Sequence, residues 1–177
     1  EKKSLSPFTT VVLPRRFYLF LGIMLIFSLG NSSDAFLILR AQNLGVVLLA
    51  IPLVYALFNL VYAVASVPLG SLSDRIGREK VILFGFIAYA IAYFGFALAN
   101  TGYQIWFLFA FYGLYYATTE GVAKAFVADM VSVDHRGRAY GIYNTAIGII
   151  SLPASLIAGI LWDKVSPSAP FYFGGII

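Results

Sequence analysis

The sequence predicts an all-α fold, a polytopic bundle of transmembrane helices, and three observations support this prediction. Hydrophobic residues make up 60% of the 177 residues and charged residues only 11%, against about 45–50% and about 25% in soluble globular domains. The mean hydropathy is +0.86. The apolar residues also gather in stretches of about 20, the length that a helix needs to cross a bilayer. The lipid bilayer is therefore the expected solvent of this chain.

Five stretches are long and apolar enough to form complete transmembrane helices. They are residues 17–39, 46–69, 81–99, 104–130 and 139–162. A sixth helix, predicted over residues 170–177, begins at a proline that suits the first turn of a helix and is truncated after about two turns. Residues 1–16 are polar and contain two prolines, which is typical of a linker. We therefore predict a linker at 1–16 and a helical domain at 17–177, and expect the chain to be a fragment of a longer protein.

The positive charges alternate between the two ends of the predicted helices. Nine of the 12 cations precede the first stretch or lie in the two long connections: Lys2, Lys3, Arg15, Arg16, Arg75, Arg78, Lys80, Arg136 and Arg138. Only Arg40 and Lys164 lie at the other ends, and Lys124 lies inside the fourth stretch. Cytoplasmic loops of membrane proteins carry an excess of Lys and Arg. The N-terminus and the basic loops are therefore expected in the cytoplasm.

The composition argues against several classes of function. The net charge of +4 does not predict a nucleic-acid partner, because the cations lie between apolar spans instead of forming one patch. The chain has no cysteine and a single histidine, His135, so neither a thiolate metal site nor a cysteine nucleophile is available. We expect no metal, no cofactor and no catalytic residues. A membrane-embedded enzyme is the weakest of the alternatives, since it needs such a constellation.

The connection between the second and third stretches carries a sequence motif. It reads GSLSDRIGREK from Gly70 to Lys80. This motif resembles the signature loop of the major facilitator superfamily, G-x-L-[AS]-D-[RK]-x-G-R-[RK], and departs from it at Glu79, where a basic residue is usual. A simple basic loop would explain the arginines. It would not explain why Asp74 and Gly77 stand at the motif's positions relative to those arginines.

The resemblance implies a fold and an activity. It implies that the chain is one six-helix half of a twelve-helix carrier, and the linker-like start suggests the C-terminal half of a bacterial permease in the inner membrane. The carrier would be a secondary active transporter that moves a small-molecule substrate by alternating access. Its partners would be that substrate, the lipid bilayer, the missing other half and, in one hypothesis, a coupling proton. A non-transporting subunit or receptor that retains the fold is the alternative.

The resemblance also assigns a role to the signature loop. In the family this loop acts like a latch at the cytoplasmic face, which helps to hold the transporter in one conformation. The resemblance implies the same role for Asp74, Arg75, Gly77 and Arg78. We expect Gly70 to let a helix approach its neighbour closely and Gly77 to permit the turn. The other side of the latch is predicted around the fourth-to-fifth connection, at Asp129, Asp134, Arg136 and Arg138, with an ordinary solvated loop as the equal alternative.

Polar residues inside the predicted spans are the candidates for substrate binding or coupling, because charges are costly in a membrane. They are Asn31, Asp34, Tyr112, Tyr116, Glu120 and Lys124. Glu120 and Lys124 can pair on one helix face at their i, i+4 spacing. The alternative is that all of these groups only hold helices together. The resemblance favours a cavity, because the first and fourth helices of each half line the substrate site in this family.

The depths of these residues predict two separate sites. Counted at about 1.5 Å per residue along continuous helices, Asp34 lies near the outer face and Glu120 near the inner face. We therefore expect an outer polar site and an inner charged site without a direct contact between the two carboxylates. A carboxylate in the membrane can exchange a proton near neutral pH, so Glu120 is the hypothetical coupling group. In the fifth stretch, Ser151 and Ser155 are expected to pack against another helix.

Overall fold

The computed structural model describes residues 13–177, so most of the predicted linker, including Lys2 and Lys3, lies outside the described residues. Within them the chain forms helices and connecting turns, without strands, which confirms the all-α prediction. The helices are α1 (Arg15–Gly30), α2 (Ala35–Asn43), α3 (Ile51–Ile76), α4 (Arg78–Leu98), α5 (Gly102–Met130), α6 (Arg136–Lys164) and α7 (Ala169–Ile176). Short 3-10 turns at Leu48–Ala50 and Val133–His135 lead into α3 and α6.

Four helical segments of the described chain are long and apolar enough to cross a membrane. They are Arg15–Asn43, which joins α1 and α2, Leu48–Ile76, Arg78–Leu98 and Val133–Lys164. The fourth predicted span corresponds to α5, which has sufficient length with 29 residues but is less apolar because of its tyrosines, Glu120 and Lys124. α5 packs along both α3 and α4. Polar side chains in a membrane protein face such an interior, as the buried Tyr112 and Tyr115 do, whereas Glu120 and Lys124 lie exposed.

The first predicted span, residues 17–39, is not one continuous helix. α1 ends at Gly30 and α2 begins at Ala35, and Asn31 leaves the helical region with φ −87° and ψ 82°. The intervening residues Asn31-Ser-Ser-Asp34 have short polar side chains that compete with the helix for backbone hydrogen bonds. The hydroxyl of Ser33, for example, accepts the backbone N–H of Ala35 at 3.3 Å.

The helices pack through two buried clusters, and the first of them is rich in aromatic residues. One buried cluster surrounds the interruption and includes Phe27, Tyr89, Tyr93, Phe96 and Tyr112. A second cluster lies toward the start of α1 and includes Phe17, Phe20, Val81, Val127 and Tyr143. Hereafter the end of the bundle that carries Arg16, Arg78 and Arg136 is the basic end, and the end that carries Arg40 and Thr101 is the opposite end.

Two glycines bring helices into backbone contact. A Cβ on Gly113 of α5 would lie 2.8 Å from the carbonyl oxygen of Phe58 in α3. A Cβ on Gly174 of α7 would lie 2.5 Å from the carbonyl oxygen of Gly30, the last residue of α1. Membrane helices commonly pack through such small residues. These contacts hold α3, α5 and α7 around the interrupted first span.

Candidate functional site

The carboxylate of Asp34 lies at the end of the interruption, within a shell of tyrosine hydroxyls. Tyr55 of α3 donates to Oδ2 at 3.2 Å, and Tyr112 of α5 donates to Oδ1 at 3.2 Å. Tyr116, one turn further along α5, donates to Oδ2 at 3.4 Å. None of the ion pairs within residues 13–177 includes Asp34. Three neutral donors therefore surround this carboxylate, and no cation accompanies it in the described chain.

A second group of tyrosines holds the start of the interruption. Tyr89 of α4 donates to the carbonyl oxygen of Gly30 at 2.9 Å. The side-chain amide of Asn31 donates through Nδ2 to the hydroxyl of Tyr115 at 3.1 Å, and its Oδ1 accepts from the hydroxyl of Tyr93 at 3.4 Å. Where the helix no longer satisfies its own backbone groups, a neighbouring helix must do so. Tyr89 supplies such a hydrogen bond to the backbone, while Tyr93 and Tyr115 hold the side chain of Asn31.

A cavity of about 510 Å³ opens beside Asp34, between the interruption, α5 and α6. Its lining is mostly polar: Ser28, Asn31, Ser32, Ser33, Asp34, Tyr116, Ile147, Ser151, Leu152 and Ser155. The volume falls within the usual range of small-molecule sites, about 300–1,000 Å³. Ser151 and Ser155 were expected only to pack, whereas both line this cavity, and Ser155 Oγ accepts the backbone N–H of Ser33 at 3.4 Å.

Glu120 and Lys124 form an ion pair on the surface of α5, with Nζ and Oε1 2.5 Å apart. Both side chains are about half exposed, at 46% and 47%. Glu120 does not contact Asp34, but Tyr116, one turn away on the same helix, does. The structure thus brings together four of the residues predicted as substrate or coupling candidates, Asn31, Asp34, Tyr112 and Tyr116. It places Glu120 and Lys124 beside this group as a separate pair.

The signature motif forms the passage from α3 into α4. Residues 70–76 continue α3 as a helix, and Gly77 makes the turn with φ +101°, a conformation that favours glycine. Arg78, the first residue of α4, pairs with Asp74 at 3.0 Å and with Asp129 near the end of α5. One arginine therefore ties together three helices at the basic end.

Other residues at the basic end lie outside the contacts that Arg78 makes with Asp74 and Asp129. Within the described chain no atom lies within 4 Å of the place where a Cβ on Gly70 would stand, so Gly70 does not mediate a close helix contact there. Glu79, which departs from the family pattern, pairs with Arg16 of α1 at 2.6 Å. Arg136 and Arg138 begin α6, and their side chains are exposed.

Arg78→Ala is expected to lower the free energy of unfolding by about 1 kcal/mol, because partly exposed ion pairs contribute little each. The loss should decrease in 1 M salt, where charges are screened beyond about 3 Å. Thermal unfolding of the purified protein in detergent at low and high salt measures both effects. Arg75→Ala is the control, since Arg75 belongs to the same motif but is exposed and forms no ion pair within residues 13–177. Equal losses of unfolding free energy for the two variants would contradict the stabilising role of the Arg78 ion pairs.

Comparison with known proteins identifies the family. The family model described as Major Facilitator Superfamily matches residues 17–177. The chain belongs to the major facilitator superfamily. This agrees with the resemblance of the signature motif and with the bundle of membrane-spanning helices. As a member of this superfamily, the chain is part of an integral membrane protein.

Several relatives within the superfamily carry descriptive names. An uncharacterised MFS-type transporter of Methanocaldococcus jannaschii is 44% identical over 171 residues, covering 93% of this chain and 43% of the relative. The class C tetracycline resistance protein of Escherichia coli is 32% identical over 126 residues, covering 69% of this chain and 30% of the relative. Multidrug resistance protein 3 of Bacillus subtilis is 28% identical over 114 residues, covering 64% and 22%. The chain spans less than half the length of these relatives.

Four tyrosines of this superfamily member were missed as site residues in the sequence: Tyr55, Tyr89, Tyr93 and Tyr115. A signal was present, because a tyrosine in a membrane span needs a partner for its hydroxyl. The i, i+4 spacing of Tyr89 and Tyr93 also places them on one face of α4. The sequence does not show that this face meets Asn31, since that contact depends on the interruption of the first span.

Proposed function

We propose that this chain forms one half of a secondary active transporter, which carries a small solute across the membrane by alternating access. The cavity beside Asp34 is the observation that carries the proposal. It lies where a membrane span is interrupted, and it has a carboxylate, hydroxyls and an amide in its wall. Discontinuous membrane helices build the substrate sites of many transporters at the interface between two repeats.

The open side of the cavity supports a second half as the partner. On α5 and α6, the exposed residues Glu120, Lys124, Ser151 and Leu152 face away from the packed core of the described chain. A polar face of this kind is unfavourable against lipid. A second bundle of helices placed there would close the cavity, and the greater length of the relatives leaves room for such a bundle.

The orientation and the latch form part of the proposal. The excess of cations at the basic end supports a cytoplasmic location for this end, and the inner membrane of a bacterium is the proposed location of the protein. The ion pairs of Arg78 with Asp74 and Asp129 would then stabilise one conformation at the cytoplasmic face. Partly exposed pairs are weak enough to break during a transport cycle.

The names of two relatives support the proposal that the transporter moves drug-like solutes out of the cell. Two of them are named for resistance to tetracycline and to multiple drugs. Glu120 remains the proposed site of a coupling proton. Because Glu120 is paired with Lys124, a proton that binds Glu120 would release the ammonium from the pair, which links protonation to a movement of charge on α5.

Cysteine labelling tests alternating access without knowledge of the substrate. The 177 residues contain no cysteine, so Ser151→Cys introduces one thiol into the cavity of the complete transporter, with any cysteine elsewhere replaced. A membrane-impermeant maleimide is added to right-side-out and to inside-out vesicles, and the labelling rates are compared. We expect labelling from both sides, because the cavity opens to each side in turn.

Ile149→Cys is the matched control, since Ile149 lies on the same helix and is 64% exposed but does not line the cavity. We expect this variant to resist the reagent from both sides, because its apolar site lies outside the polar cavity. Labelling of Ser151→Cys from one side only would contradict alternating access and favour a receptor or a non-transporting subunit.

A further inference from the structure

We propose that the cavity beside Asp34 binds organic cations that carry a primary or secondary ammonium group. The inference rests on the proposed function, because it names the substrate class of the same site. It depends on the charge balance of the cavity and on the hydrogen-bonding positions that the tyrosine shell leaves unused.

The charge balance around the cavity is negative. The positive charge of Lys124 is compensated by Glu120 at 2.5 Å. Within residues 13–177, Asp34 receives only hydroxyl donors, and no Lys or Arg of this part of the chain lines the cavity. In a site of low dielectric constant, an uncompensated carboxylate attracts a cation strongly. An anionic solute would meet the charge of Asp34 and would have to separate Lys124 from its partner.

The carboxylate has one acceptor position left for a ligand. A carboxylate offers about four such positions on its two oxygens. Oδ2 accepts two hydrogen bonds, from Tyr55 and Tyr116, whereas Oδ1 accepts one, from Tyr112. The second position of Oδ1 is unoccupied within the described chain. An N–H of an ammonium group can fill it with a charge-assisted hydrogen bond, which is about twice as strong as a neutral one.

Other groups in the lining suit the remaining donors of an ammonium group. The hydroxyl of Ser151 donates to the carbonyl oxygen of Gly148 at 2.7 Å, so its oxygen can still accept hydrogen bonds. Tyr116 lies in the same wall, and an aromatic ring can attract a cation through its π electrons. Leu152 and Ile147 provide apolar surface for the rest of a solute. A fixed cation such as a metal ion is less suited, because the described residues of the lining include one carboxylate, that of Asp34.

Binding of two sets of matched compounds to the complete transporter tests this inference. Each set has one ring system and three head groups: 2-phenylethylamine, 2-phenylethanol and phenylacetate, and tryptamine, tryptophol and indole-3-acetate. At pH 7 the amines are cations, the alcohols neutral and the acids anions. Affinity is measured by isothermal titration in detergent, up to 10 mM ligand, for the wild type, Asp34→Asn and Asp163→Asn. Asp163 is the control, because it undergoes the same change at an exposed position outside the cavity.

We expect at least one amine to bind the wild type and Asp163→Asn about 10- to 100-fold more tightly than its alcohol, from the strength of hydrogen bonds to charged groups. The same amine should bind to Asp34→Asn more weakly than to the wild type, by a similar factor. Tighter binding of an acid, amine binding unchanged in Asp34→Asn, or no amine binding at all would overturn the inference. Labelling of Ser151→Cys from both sides, measured separately, would leave the transport proposal standing in each of these cases.

Discussion

Arg40→Met is expected to lower the free energy of unfolding by about 3 kcal/mol, because it leaves several buried carbonyl groups without a donor. Arg40 is only 7% exposed. Its guanidinium donates to the carbonyl oxygens of Phe96, Ala97 and Ala99 at 3.0, 3.2 and 3.0 Å, and to Asn43 Oδ1 at 2.8 Å. These carbonyls belong to the end of α4, where a helix cannot satisfy its own acceptors and where a positive charge is favourable.

Urea or thermal unfolding in detergent, followed by tryptophan fluorescence, measures the loss. Arg40→Lys should recover only part of it, because an ammonium group cannot reproduce the planar fork of donors. Lys164→Met is the control, since it removes an exposed cation at the end of α6 and should change stability by less than about 0.5 kcal/mol. A loss for Arg40→Met as small as that of the control would show that water satisfies the end of α4.

Gly174→Ala is expected to lower the free energy of unfolding by about 1–3 kcal/mol, the usual cost of overpacking. The new Cβ would lie 2.5 Å from the carbonyl oxygen of Gly30 and 2.7 Å from the ring of Tyr93. The carbonyl belongs to the backbone at the end of α1 and is held by Tyr89 at 2.9 Å, so it cannot move without disturbing the interruption. α7 would have to shift away from α1.

The same substitution at Gly22 is the matched control. Gly22 lies within α1, and no atom lies within 4 Å of the place of its Cβ in the described chain. Replacing a helical glycine by alanine in open space stabilises the helix by up to about 1 kcal/mol. The two variants should therefore change the midpoint of thermal unfolding in opposite directions. A shift of the same sign would mean that α7 does not pack against α1 as described.

The sequence predicted the helical bundle because each span obeys a local rule. A run of about 20 apolar residues must lie in lipid as a helix, since every backbone group then bonds within its own segment. The signature motif was recognisable for a similar reason, because Gly77 and Arg78 act at the turn where they stand in the chain. Asp34 and Tyr116 were identified as candidates because polar groups in a membrane need a partner.

The missing parts of the site depend on contacts between distant residues. The sequence predicts a continuous helix with a polar patch at Asn31–Asp34, because average hydropathy over a long window is insensitive to four residues. From the sequence, Arg40 is a cation at the end of the first span, whereas the structure buries it against the end of α4. No local pattern shows that a helix end 56 residues away will supply its acceptors.

The interruption of the first span also makes the rotation of α2 about its axis independent of that of α1. In a continuous helix, the directions of Phe27 and Arg40 would be fixed relative to each other by the helical repeat. The four residues between α1 and α2 remove this constraint. Phe27 can therefore stack on Phe86 in the core while Arg40 binds the end of α4. One short segment thus allows two halves of a span to satisfy different neighbours.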